Sequence, residues 1–92
     1  MLTNEQEKKL LAGLRKLAEE RAHCGVHVCN GDPHPKVLDK ENKNANARAW
    51  QADLDKIEAG LEARAKKNGL AGVSYPGLYP VFETKEGRTL YL

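Results

Sequence analysis

Large side chains of the kind that build a core are scarce in this chain. One tryptophan, one phenylalanine and three tyrosines are its aromatics, and the apolar 40% of its 92 residues is largely alanine and leucine. A domain this small buries a modest share of its surface, so a single thin core is expected, with support from a partner. No stretch approaches the roughly 20 apolar residues of a membrane span. The opening residues, Met1 to Lys9, are charged and hold no apolar run of signal-peptide length, which reads as cytoplasmic.

Charge of one sign is lacking too. Fifteen basic and thirteen acidic side chains leave a formal +2, interleaved in every segment, so a phosphate-binding face has weak support. The two cysteines, Cys24 and Cys29, are expected to be reduced thiols in a cytosol, and a bond between them would close too small a loop to hold much structure. Gly69, Gly72 and Gly77 lack the strand before and the helix after that a phosphate-cradling loop requires. Nucleotide binding is without a motif, and neither an internal repeat nor a sustained heptad pattern is present.

What the chain does have is helical periodicity. Ala47, Trp50, Leu54, Ile57 and Leu61 recur at three- and four-residue spacing, with Asp53, Asp55, Lys56, Glu58, Glu62 and Arg64 between them as a solvated face. Lys66 and Lys67 then complement the helix dipole, and Asn68-Gly69 offers a left-handed exit. A second stripe, Leu10, Leu14 and Leu17 widened by Leu11, Ala18 and Ala22, follows Thr3-Asn4-Glu5-Gln6, a capping box with acids in its first turn. Gly25 is the natural left-handed terminus for this helix. The turn formers Asn30-Gly31-Asp32-Pro33 and Pro35 mark a loop, with a short helical turn at Val37-Leu38, before the second helix begins near Asn44.

Beyond Gly69, the stretch from Gly72 to Pro80 reads as irregular, with a turn at Tyr75-Pro76-Gly77. Val81–Thr84 and Arg88–Leu92 flank Lys85-Glu86-Gly87, the signature of a hairpin whose glycine takes a left-handed bulge position. The fold class is therefore α+β and mainly α. Two amphipathic antiparallel helices, about 4–24 and 44–68, are joined by a long loop and closed by a small C-terminal β-hairpin, about 81–92, in one domain over 1–92.

Metal-capable side chains gather in one place: His23, Cys24, His27, Cys29 and His34. Cys24, His27, Cys29 and His34 have the donor types of a Cys2His2 zinc site, which would also order the loop. Structural zinc sites usually join two separated pairs, whereas these four lie on one short segment, so reduced thiols and ordinary loop histidines are the competing reading. Cys24 with His27 as a thiolate–imidazolium pair is a further reading, opposed by a helix C-terminus that raises a thiol pKa. His23, near that terminus, is a simple dipole partner.

The candidate partner-binding residues are Trp50, Tyr75, Tyr79 and Tyr91, because Tyr and Trp dominate binding hot spots. Their competing role is packing, above all for Trp50 on its helix face. The expected function is a small non-enzymatic protein–protein interaction module. An adaptor, an assembly factor or an inhibitor fits, including an accessory protein of a phage or mobile element. The alternative is a zinc-stabilised, nucleic-acid-associated module. The helical stripes are wider than one antiparallel contact covers, which implies a homodimer.

Overall fold

In the computed structural model, residues 2–92 are described, and they form two α-helices followed by a three-stranded antiparallel sheet. Helix α1 (Asn4–Asn30) starts as its sequence dictates: the Thr3 hydroxyl accepts from the Gln6 N–H at 3.1 Å, and the Gln6 side chain accepts from the Thr3 N–H at 2.9 Å. Glu5 and Glu7 lie in its first turn. The expected terminus at Gly25 is corrected. The helix runs on to Asn30, and Gly31 takes the left-handed conformation, φ 65°. The Gly31 N–H donates to the Val28 carbonyl and the Asp32 N–H to the His27 carbonyl, a full Schellman motif, with Pro33 preventing continuation.

Helix α2 (Lys43–Lys67) is capped by Asn42, whose side chain accepts from the Ala45 N–H at 3.1 Å. Between the helices, residues 34–37 make a single turn, closed by the Val37 N–H donating to the His34 carbonyl, rather than a helical segment at Val37-Leu38, and Leu38 is fully exposed. At the far end of α2 the Gly69 N–H donates to the Lys66 carbonyl, and Gly69 adopts φ 84° as its position after Asn68 requires.

The chain then enters a strand that the sequence reading missed. Strand β1 (Leu70–Ser74) pairs antiparallel with β2 (Val81–Thr84), which pairs antiparallel with β3 (Thr89–Tyr91). The closing hairpin is a meander of three strands rather than two. Leu70 faces Thr84 but Gly72 faces Glu83, so Ala71 is the extra residue of a bulge. That bulge and Gly72 interrupt the two-residue alternation by which a strand is recognised. The β2–β3 turn follows expectation, with Gly87 at φ 86° and the Arg88 N–H donating to the Thr84 hydroxyl.

The two ends of the helical hairpin are held by different forces. At the sheet end, Leu70, Phe82 and Leu90 pack on Leu14, Leu61 and Ala65, with Leu10, Leu11, Leu17 and Ile57 at the margin. Fully buried Phe82 contributes about 2–3 kcal/mol there. Glu7, buried beneath the hairpin turn, accepts from the Arg88 guanidinium at 3.0 Å and ties α1 to it. At the loop end the contacts are polar and aromatic instead, and they bring together the histidines.

Candidate functional site

Continuing α1 past Gly25 places His23 and His27 one turn apart on the same face. Their rings meet edge to face, with the two Nε2 atoms 3.1 Å apart. The Asp32 carboxylate lies 2.8 Å from His27 Nδ1, so that nitrogen carries the proton. Trp50 lies parallel to the His27 ring, centroids 4.3 Å apart, and its indole N–H donates to the Asp32 carbonyl at 3.1 Å. His34 closes the cluster edge-on to Trp50.

His34 is the buried member. Its Nδ1 accepts from the Lys36 N–H at 3.0 Å, so Nε2 carries the proton and donates to Asp53 Oδ2 at 2.8 Å. Its own N–H donates to the Asn46 side chain, whose amide in turn donates to the Lys40 carbonyl. The Lys40 ammonium returns to the His34 carbonyl. Both ring nitrogens of His34 are thus engaged, which makes it a clamp between loop and α2 rather than a proton carrier. Asp53, assigned from sequence to the solvated face, is drawn into this contact.

The four candidate zinc ligands do not converge. Cys24 and Cys29 are five helical positions apart, which turns them to different sides: Cys24 is buried and Cys29 exposed, and both are free thiols. His34 has both ring nitrogens engaged, by Asp53 and by the Lys36 N–H, which leaves it no lone pair to offer. Among the described residues no group of three or more His, Cys, Asp or Glu side chains is arranged to hold a metal ion. Burial, reinforced by the carboxylates of Asp53 and Glu20, pushes the Cys24 thiol pKa up, away from the thiolate a nucleophile needs.

The tyrosines divide. Tyr75 is drawn inward: its hydroxyl donates to the Glu58 carbonyl at 3.4 Å, and the Arg21 guanidinium sits 4.2 Å above its ring. Desolvation, with the Glu62 and Glu58 charges next, pushes its pKa up to about 12. Tyr79 and Tyr91 are 52% and 71% exposed, and Leu78, next to Tyr79 in the chain, is 56% exposed. Tyr79, Tyr91, Pro76 and Leu92 border a groove of 560 Å³ whose rim carries Arg15 and Glu19 from α1. Trp50 belongs to the histidine cluster and is not part of this groove.

The loop that presents Leu78 and Tyr79 is pinned by Arg21. Its guanidinium donates to Glu58 at 2.9 Å and to the carbonyls of Gly77 and Leu78 at 3.1 and 3.0 Å. Sequence reading does not find this role for Arg21, because its acceptors are a side chain 37 residues away and backbone carbonyls 56 and 57 residues away. Leu78 was legible only in part: its place after Pro76-Gly77 marks a turn tip, where an apolar residue has no structural use. No protein-family model, no curated protein and no solved structure matches this chain. Among the described residues no helix is long and apolar enough to cross a membrane.

Proposed function

We propose that the protein is a non-catalytic interaction module that binds another protein through the surface formed by Leu78, Tyr79 and Tyr91. The observation that carries this is a set of large apolar side chains held out to solvent, Tyr91 on β3 and Leu78 and Tyr79 on a loop fixed by two hydrogen bonds from Arg21, which Glu58 holds in place. A side chain that is exposed and already ordered loses little entropy on binding, and Tyr is among the commonest hot-spot residues. Strand β3 lies at the edge of the sheet beside this groove, so its outer backbone groups are positioned to pair with an extended segment of the partner. A role as adaptor, assembly factor or inhibitor in a reducing cytoplasm, such as an accessory protein of a phage or mobile element, fits two free thiols and a surface of this kind.

The test uses the intact protein as bait in its native host. Proteins captured by the parent and lost by Tyr79→Ala/Tyr91→Ala, at equal melting temperature, support the reading. Arg21→Met should weaken the same capture while leaving every contact residue in place, since it frees the loop that orders Leu78 and Tyr79. Capture that is indifferent to all three positions refutes it.

A homodimer is the second reading, favoured by a groove of 630 Å³ along the helical seam, bordered by Leu2, Leu10 and Leu14 with Arg64 and Lys67 at its rim. Two copies packed along this seam would cover Leu10 and extend a thin core. Solution mass at micromolar concentration tests it, and a monomer whose melting temperature is unchanged on dilution excludes it.

A further inference from the structure

His23 and His27 are more than neighbours in a packed cluster, and what sets them apart is the direction of their free nitrogens. Both Nε2 atoms face one another at 3.1 Å on the exposed side of α1. With imidazole–metal bonds of about 2.05 Å, that spacing subtends an angle of about 100° at a shared cation, between the square and the tetrahedral values. We propose that His23 and His27 form a two-imidazole chelate for a divalent transition cation of the Ni2+, Cu2+ or Zn2+ kind, with water completing its coordination.

Three observations independent of the spacing support this site. First, Asp32 holds His27 Nδ1 at 2.8 Å, which fixes the tautomer that leaves Nε2 as a lone-pair donor. A carboxylate behind the imidazole is the arrangement that orients metal-bound histidines and raises their basicity. Second, Trp50 stacked at 4.3 Å, with only 15° between the ring planes, holds the His27 ring in place. His27 is therefore the preorganised ligand. Third, His23 is exposed, so it can move its proton to Nδ1 through water and turn its lone pair onto the cation. The hydrogen bond between the two rings is exchanged for two nitrogen–metal bonds, the His23 proton being kept on Nδ1, and no thiolate or buried charge is required. Nitrogen donors without an acidic oxygen cluster select borderline transition ions over Mg2+ or Ca2+. The chelate shares His27 with the Cys2His2 set expected from sequence, but takes His23 in place of both cysteines and His34.

Trp50 is the only tryptophan, so the protein carries its own reporter. Its ring lies 4.3 and 5.9 Å from those of His27 and His23, close enough for an open-shell ion bound between them to quench its emission. Titrating the full chain with Ni2+ should give saturable quenching that Zn2+, a closed-shell ion, reverses by competition. His23→Gln, an exposed substitution that leaves the packed rings in place, should remove the saturable phase, and Asp32→Asn should weaken apparent affinity about tenfold. Cys29→Ser should leave the titration unchanged. Circular dichroism of each variant confirms that the helices persist. Quenching that does not saturate, that survives His23→Gln, or that depends on Cys29 overturns the proposal.

Discussion

Asn46 makes the sharpest test of how the loop end is held. It lies on α2, is wholly buried, and joins two backbone groups of the loop: it accepts from the His34 N–H at 3.1 Å and donates to the Lys40 carbonyl at 2.9 Å. Truncation in Asn46→Ala leaves the His34 N–H buried without an acceptor, at about 1–3 kcal/mol. The Lys40 carbonyl is closer to solvent and keeps access to water, so its loss adds less. Alanine returns about half a kcal/mol of helix propensity. The net expectation is a loss of about 2 kcal/mol, and each kcal/mol lowers the melting temperature of a domain this size by about 4–8 °C. Asn44, two residues earlier on the same helix, is exposed, so Asn44→Ala should leave stability unchanged or slightly raised. Thermal melts of both variants by circular dichroism make the comparison. If Asn46→Ala melts within about 2 °C of Asn44→Ala, the polar cluster does not stabilise the fold and the loop is not anchored by α2.

Gly69→Val should destabilise by about 1 kcal/mol or more, because a β-branched residue resists the observed φ of 84°, and Thr3→Ala should cost about 1 kcal/mol by removing the α1 cap; chemical denaturation measures both. Tyr75 gives a pH signature. Its folded pKa of about 12 lies above the ordinary 10.0, so the native state favours the protonated phenol, and the associated stability is full below pH 10 and lost as pH rises through about 12. Alkaline melts should therefore fall more steeply for the parent than for Tyr75→Phe across that window, and parallel curves would count against the buried phenol.

How much of this was legible depends on where the stabilising contacts come from. The caps at Thr3 and Gly69, the stripe Leu10-Leu14-Leu17 and the turn at Gly87 are local, set by residues within a few positions, and were read correctly from the sequence. Strand β1 was missed because a bulge at Ala71 and a glycine at 72 break its alternation, and its pairing partner begins only at Val81. The site residues suffered most from distance. Arg21 finds its acceptors at Glu58, Gly77 and Leu78, and His34 finds Asp53 nineteen residues away, none of which any local pattern encodes. Tyr79 and Tyr91 were named for their residue type, and the sheet supplied what type alone lacked, a common groove.

The terminus of α1 shows the same competition in energies, and it yields the prediction that most directly separates the sequence reading from the structure. A glycine inside a helix costs about 1 kcal/mol relative to alanine, which is why Gly25 looked like an end. Against that stand the stacking of His27 on Trp50 and the edge contact of His27 with His23 across that glycine. Such aromatic pairs are worth about 0.5–1.5 kcal/mol each beyond area burial, so the two together offset the cost of Gly25. Both need His27 on the same helix face as His23, and Gly31, Asp32 and Pro33 then provide a better terminus. Gly25→Ala decides between the two. A Cβ at position 25 meets nothing within 4 Å, so in a continuous helix alanine should raise stability by about 0.5–1 kcal/mol. Were Gly25 the left-handed terminus, the same substitution would lower stability by a similar amount, because alanine pays for a positive φ. A melting temperature that falls in Gly25→Ala would end α1 at that glycine, separate His27 from His23, and remove the basis of the chelate along with that of the Trp50 stack.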